Sequence, residues 1–211
     1  MIDLKIALWG YAAYLREHPD ELWRVARQAR HLRFGVPVAI LRWLAGQLST
    51  AGGPEDIEIE AAPPGIRVTA TVEEMGTLLR GSAVLAVTKV NIDERELRVE
   101  VRLTDVRIRL VDERAQSPLA ALIRSGALDV SRIANLVAQL PKRPDILVEA
   151  MDDRLILDFM RLPLFVVDAR LRKIVGIVST LLSVEAVATD SSHLDVSLRA
   201  LPRGLAAVLP R

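Results

Sequence analysis

The chain has 211 residues, no cysteine, three histidines and a net charge of +1. Hydrophobic residues make up 51% of it but aromatic residues only 4%, so its apolar content is mostly aliphatic. The lack of cysteine excludes disulfides, thiolate catalysis and cysteine-ligated zinc, and the balanced charge argues against a polyanion-binding protein. The length predicts one domain, with or without an appendage, and the aliphatic surplus suits a cavity, an oligomer interface or lipid contact.

Residues 1–48 have the apolar spacing of three helices. The first is expected to end before Pro19, because a residue that precedes proline is pushed out of the α region. Pro19 and Pro37 then suit the first turns of the second and third helices. The stretch Ser49–Asp56, S-T-A-G-G-P-E-D, predicts a linker. We therefore expect a helical N-terminal segment over 1–48 and an α+β domain over 56–211.

The second predicted helix is basic on the side opposite its apolar stripe. Basic amphipathic helices that carry tryptophan are typical of membrane interfaces, and a solvated helix face is the ordinary alternative. The residues expected to contact a membrane are Trp23, Arg24, Arg27 and Arg30.

Beyond the linker the apolar period changes from 3.6 to 2, which indicates strands. Short strands are predicted from Ile57 and over Ile66–Val72, and Glu73–Arg80 are expected to form a short helix closed by Gly81. A long hairpin follows, with Val84–Ile92 as its first arm and Leu97–Leu110 as its second.

Both arms of this hairpin change face halfway along. In the second arm the apolar positions are odd up to Leu103 and even from Val106, and in the first arm they change after Val87. A side-chain period of two shifts by one residue only at a bulge or a sharp coil. The pattern therefore predicts a strongly curved antiparallel sheet.

Two short helices and a second hairpin are predicted next. Ser117-Pro118 begins a helix that Gly126 ends, and Asp129 caps the following one. The hairpin joins strands over Ile146–Ala150 and Leu155–Phe159.

The last predicted helix, Asp168–Ser183, is apolar over most of its circumference, and a helix of that kind is expected to be buried on nearly all sides. A closing strand contains Leu194, Val196 and Leu198. The fold expected is an α+β protein whose curved antiparallel sheet wraps around this long apolar helix, with the N-terminal helical subdomain beside it.

No catalytic constellation is recognised. Ser191–Asp195, S-S-H-L-D, contains the side chains of a triad, but neighbours on a strand point to opposite faces. Gly76–Ser82 has the glycine spacing of a phosphate loop without its lysine, and Asp152-Asp153 is ordinary turn chemistry. We expect no enzyme activity, no cofactor, no metal and no nucleic-acid partner, although an enzyme with a dispersed site stays an open alternative.

The segment from Ile57 to Leu201 resembles the tubular lipid-binding superfamily, and in particular its small bacterial phospholipid-binding members. The resemblance is carried by V-R-L-T-D-V-R-I-R-L, residues 101–110, and by R-K-I-V-G-I-V-S-T-L-L-S, residues 172–183. It implies lipid binding or transfer in a groove between a helix and a curved sheet. The chain departs from bacterial relatives in its N-terminal helices and in lacking an export signal, which favours a cytoplasmic or peripheral membrane location.

The function expected is non-catalytic binding of a lipid or other acyl-chain ligand, at or near a membrane surface. One wall of the site would consist of Leu97, Val99, Val101, Leu103, Val106, Ile108 and Leu110. The facing wall would consist of Ile174, Ile177, Val178 and Leu181. The alternative is a structural protein that forms a homo-oligomer through an aliphatic interface.

Overall fold

The computed structural model describes Glu17 and residues 32–50, 54–93, 95–139 and 145–201. The strands are β1 Arg33–Pro37, β2 Glu55–Ala62, β3 Gly65–Glu74, β4 Thr77–Ile92, β5 Leu97–Leu110, β6 Leu147–Met151, β7 Arg154–Asp158, β8 Leu182–Thr189 and β9 His193–Ala200. The helices are α1 Val38–Thr50, α2 Pro118–Arg124, α3 Ile133–Gln139, α4 Pro163–Val167 and α5 Ala169–Leu181. The first two predicted helices, with Trp23, Arg24, Arg27 and Arg30, lie outside the described residues.

The larger sheet has six antiparallel strands in the order β2-β3-β4-β5-β7-β6. Its register places aliphatic residues opposite one another, as in the pairs Val87–Val101, Val90–Val99 and Ile92–Leu97 between β4 and β5. Paired residues share a face, so the aliphatic side chains of the strands gather on one side. Charged residues alternate with them and occupy the other side.

The predicted changes of face in the long hairpin are confirmed as β-bulges. The register shifts between Ser82 and Val84, where β5 contains the extra residue, and again between Val87 and Lys89, where β4 contains it. Asp105 lies at the first bulge and has a φ of 47°, the left-handed conformation typical of one bulge class. Each bulge restores the aliphatic side chains to the same face of the sheet.

The helix predicted over Glu73–Arg80 is wrong, because these residues end β3 and begin β4. Glu74 pairs with Thr77 around a two-residue turn in which Met75 has a φ of 49° and Gly76 a φ of 70°. Two positive φ values in succession define the tight turn whose twist matches antiparallel strands. The turn geometry therefore prevails over the helix propensity of T-L-L-R.

The smaller sheet has the order β1-β9-β8. Residues 33–37 form β1 and pair with β9, so the prediction that 1–48 are wholly helical is wrong for this stretch. The third predicted helix is confirmed as α1. The smaller sheet adjoins the larger one through β8, which contacts β4 and ends where the Thr189 N–H donates to the Pro64 carbonyl at 3.0 Å.

The helices after β5 begin where the sequence predicts. Ser117 caps α2 by accepting the Ala120 N–H at 2.9 Å, and Asp129 caps a 3₁₀ turn, Val130–Arg132, that leads into α3. Asp168 caps α5 by accepting the Arg170 N–H at 2.8 Å. The second predicted hairpin is confirmed by β6 and β7, which join at Asp152-Asp153.

The predicted fold class is wrong. The longest described helices, α1 and α5, have 13 residues each, and α5 lies at the surface with Gly176 as its one buried residue. The described chain is mainly antiparallel sheet with short helices, and the sheet does not wrap around a long apolar helix. The described helices are all too short, or not apolar enough, to cross a bilayer.

Candidate functional site

The candidate site lies on and beside the aliphatic face of the six-stranded sheet. This face extends across all six strands, because the register pairs aliphatic residues of each strand with aliphatic residues of the next. Its members include Ile59, Ile66, Val68, Leu79, Leu85, Val99, Ile108, Leu155, Leu157 and Leu147. The β5 residues predicted to form one aliphatic wall are therefore part of a larger apolar surface.

The cover over this face is uneven. Val101 and Leu103 are buried, and the 3₁₀ turn Val130–Arg132 lies against β5 beside them. Ala134, in α3, is fully buried, and its N–H donates to the Asp152 carbonyl at 3.1 Å, which ties α3 to the β6–β7 turn. The remaining β5 wall residues are only half-buried; they are Leu97, Val99, Val106, Ile108 and Leu110.

A cleft of about 650 Å³ opens where β5 passes beyond its partner β7. Strand β7 pairs with Arg98–Arg102 only, so the outer edge of β5 has no strand beside it over 104–110 in the described chain. Helix α2 returns past this edge and completes the cleft. Its lining residues are Arg80, Ile108, Arg109, Leu110, Val111, Glu113, Ile123 and Arg124.

The lining has an aliphatic part, a cationic part of three arginines and one carboxylate, Glu113. Ile108 and Leu110 come from the aliphatic face of β5, and Ile123 faces them from α2. Since period-two alternation places Arg109 on the opposite face of β5 from Ile108 and Leu110, the cleft is lined by residues of both faces of the strand. It thus presents apolar side chains next to guanidinium groups.

The three arginines of the cleft differ in what already binds them. Arg80 donates to Glu58 Oε1 at 2.6 Å and to Thr71 Oγ1 at 3.3 Å. Arg124 donates to the carbonyls of Glu113 and Ala115, each at 2.8 Å, and these bonds hold α2 against the loop that follows β5.

Arg109 differs from both. Within the described ranges its guanidinium has no ion pair or side-chain hydrogen bond, and the residue is exposed. Arg109 is therefore the cation of the cleft that is available to a ligand.

The second predicted wall is not at this cleft. Ile174, Ile177 and Val178 are 55%, 50% and 42% exposed on α5, Leu181 is half-buried, and α5 contacts β4 and β8. The expectation that this helix is buried on nearly all sides is wrong, since Ile174, Ile177 and Val178 are exposed at the surface. Composition alone indicates an apolar helix but does not tell which of its sides is covered.

The polar motifs of the sequence have structural roles. One carboxylate oxygen of Asp190 accepts the N–H groups of Ser192 and His193, both at 2.7 Å, which fixes the β8–β9 turn. The buried His193 ring contacts Ser192 Oγ through Nδ1 at 2.8 Å. Among the described residues no group of three or more histidine or carboxylate side chains is arranged to bind a metal ion.

Sequence reasoning placed Ile108 and Leu110 in the site but missed Arg109 and the contribution of α2. No signal in the sequence states how far β7 extends along β5, and that length decides which part of β5 is free. No protein-family model matches this chain, and comparisons with curated proteins and with solved structures find no match.

Proposed function

We propose that the cleft beside β5 binds the acyl chain of an anionic amphiphile, such as a fatty acid or a phospholipid, and performs no chemistry on it. The observation that carries this proposal is the pairing of an aliphatic lining, Ile108, Leu110 and Ile123, with the guanidinium of Arg109, which has no ion pair with any described residue. An anionic amphiphile requires both features in one site, the aliphatic lining for its chain and the guanidinium for its head group.

The size and energetics of the cleft agree with such a ligand. Small-molecule sites commonly have volumes of roughly 300–1,000 Å³, and this cleft has about 650 Å³. Each methylene removed from water contributes about 0.8 kcal/mol, so ten buried methylenes offset a large part of the cost of association. The half-buried Val106 continues the apolar surface of Ile108 up to the covered residues Leu103 and Val101.

Arg109 would bind the head group. Hydrogen bonds between guanidinium and carboxylate or phosphate are charge-assisted and often bidentate, which favours an anionic head over a neutral one. The other two arginines already donate to protein acceptors, so Arg109 is the cation that offsets the charge of the head group in the presence of Glu113.

The test uses the purified full chain after delipidation. Palmitate and its neutral alcohol analogue, 1-hexadecanol, are the probes in a displacement assay with a fluorescent fatty acid. We expect palmitate to bind and Leu110→Asn to weaken it at least about tenfold, since a polar amide then faces the chain. Leu78→Asn is the matched control, because Leu78 is exposed on the neighbouring strand and does not line the cleft.

Arg109→Gln should reduce the preference for palmitate over the alcohol. Its matched control is Arg107→Gln, two residues away on the same face and outside the cleft. Equal affinities for the wild type, Leu110→Asn and Arg109→Gln would show that the ligand site is elsewhere.

Native mass spectrometry separates this proposal from the structural alternative. A co-purifying amphiphile that Leu110→Asn removes supports the proposal. A stable oligomer that contains no ligand would instead support a homo-oligomer formed through the aliphatic surface.

A further inference from the structure

We propose that the outer face of α5 docks the protein on an anionic membrane surface. This face consists of Arg170, Lys173, Ile174, Ile177 and Val178. With 3.6 residues per turn these five positions fall within an arc of about 140°. The inference is independent of acyl binding by the cleft, because none of the five residues lines it.

The apolar side chains of this face are exposed to solvent. Ile174, Ile177 and Val178 are all exposed, and the preceding helix, α4, ends in two further exposed valines. These are Val166, 61% exposed, and Val167, 85% exposed. Five aliphatic side chains of neighbouring elements are thus presented to solvent, and contiguous apolar patches of this kind mark interaction surfaces.

The charge around the patch indicates what kind of surface covers it. Helix α5 with its cap, residues 168–181, contains three basic side chains, Arg170, Arg172 and Lys173, and one acidic side chain, Asp168, so its net charge is 3 − 1 = +2. The whole chain has a net charge of only +1. Asp168 already accepts the Arg170 N–H at 2.8 Å as the helix cap.

The cations of α5 are not neutralised by the residues that the structure describes. Within the part of the chain that the structure describes, no carboxylate forms an ion pair with Arg170, Arg172 or Lys173, and all three residues are exposed. Basic side chains beside an exposed aliphatic stripe are the features of helices that lie in the interface of anionic membranes.

A second copy of the chain fits this face less well. A two-fold contact places the same patch of both subunits together, so two faces that each contain Arg170 and Lys173 and no carboxylate would meet. Like charges at an interface are repulsive, and the described face offers no acidic partner for them. An anionic bilayer satisfies the cations and the aliphatic side chains at once.

The test measures binding of the full chain to vesicles of pure phosphatidylcholine and to vesicles with 30% phosphatidylglycerol. We expect at least about tenfold tighter partitioning to the anionic vesicles, and a marked loss in high salt. The double variant Arg170→Glu/Lys173→Glu should lose at least about tenfold in affinity for anionic vesicles. Ile174→Ser/Ile177→Ser should weaken binding by a similar factor through the apolar part.

Arg172→Glu is the matched control. Arg172 is exposed on the same helix but lies about 200° around it from Arg170, on the side away from the proposed contact. It changes the net charge of the chain without changing the face, so we expect a loss of less than about threefold. Circular dichroism checks that each variant is folded, which we expect because all the substituted side chains are exposed.

Three results would overturn the proposal. The first is equal binding of the wild type to neutral and anionic vesicles, and the second is an equal loss for the face variant and for Arg172→Glu. The third is a dimer in solution that Ile174→Ser/Ile177→Ser dissociates, which would assign the face to a second copy. Arg109→Gln, which tests the cleft, should leave vesicle binding unchanged, so failure of either proposal is recognised separately.

Discussion

Arg67 on β3 and Asp105 on β5 form an ion pair across the intervening strand β4, with Nη2 2.5 Å from Oδ2. The same carboxylate accepts two hydrogen bonds from Arg107, at 3.0 and 3.2 Å. Asp105 is also the residue of left-handed conformation at the bulge where β5 changes face. Backbone conformation and charge thus act at one residue to fix the curvature of the sheet.

Substitutions at Asp105 should separate these two contributions. Asn tolerates positive φ and removes only the charge, whereas a β-branched residue is strained there. We therefore expect Asp105→Val to lower the urea midpoint of unfolding more than Asp105→Asn does. Equal midpoints for the two variants would mean that the backbone conformation at the bulge does not contribute to the free energy of unfolding.

The stability of the protein should fall in acid partly through Asp105. Hydrogen bonds from Arg67 and then Arg107 hold the pKa of this carboxyl below its usual range. A lowered folded-state pKa contributes stability above the unfolded-state pKa, near 3.9, and this contribution is lost as the pH falls through the folded-state value. Thermal unfolding from pH 6 to pH 2 should show a shallower decline for Asp105→Asn than for the wild type.

The acid dependence should not vanish in that variant. Asp93 and Asp129 also have lowered pKa values, because backbone N–H groups of Arg95 and Glu96 bond to the first, and the hydroxyl and N–H of Ser131 bond to the second. An unchanged pH profile in Asp105→Asn would assign the effect to these two turns.

The long hairpin could be predicted because its signals are local. The change of parity at Thr104-Asp105 is visible in the sequence, and the structure confirms a bulge there. Ser117 and Asp129 were equally readable as caps, since capping depends on a side chain and the next two or three N–H groups.

The misjudged parts depend on long-range packing. Distant elements decide which face of α5 is covered and where β7 stops pairing with β5. The sequence prediction therefore misplaced Ile177 and missed Arg109. The turn Met75-Gly76 was missed because a strong tertiary strand pairing overrides the helix propensity of the residues after it.

Gly65 should be intolerant of any side chain. A Cβ at this position would lie 2.2 Å from the Leu85 carbonyl oxygen, and backbone cannot move away as a side chain can. We expect Gly65→Ala to destabilise the protein by about 1–3 kcal/mol. Gly81→Ala is the control on the adjacent strand, because a Cβ there meets nothing within 4 Å. It should be neutral or stabilising by up to about 1 kcal/mol in the same denaturant titration.

Val101 should be important for folding rather than for ligand contact. It is 5% exposed beneath the covered part of the aliphatic face, so a carboxylate there would be buried without a partner. Val101→Asp should lower the free energy of unfolding by at least about 3 kcal/mol. Val111→Asp, at a 53% exposed position, should change it by no more than about 0.5 kcal/mol. Similar unfolding curves for the two variants would contradict the burial of Val101.

The Thr77 and Ser117 hydroxyls offer a test of how α2 is attached to the sheet. Their oxygens lie 2.5 Å apart, Thr77 is 1% exposed, and Ser117 also accepts the Ala120 N–H. Ser117→Ala therefore removes a helix cap and leaves a buried hydroxyl without its partner, which should cost about 2–4 kcal/mol.

Thr77→Val removes the other hydroxyl of the pair at nearly constant shape. In the double variant Ser117→Ala/Thr77→Val no buried hydroxyl is left over, so its loss of stability should be smaller than the sum of the single losses by at least about 0.5 kcal/mol. Urea unfolding of all four proteins measures this coupling. Strict additivity would mean that the contact between the two hydroxyls contributes nothing to the attachment of α2.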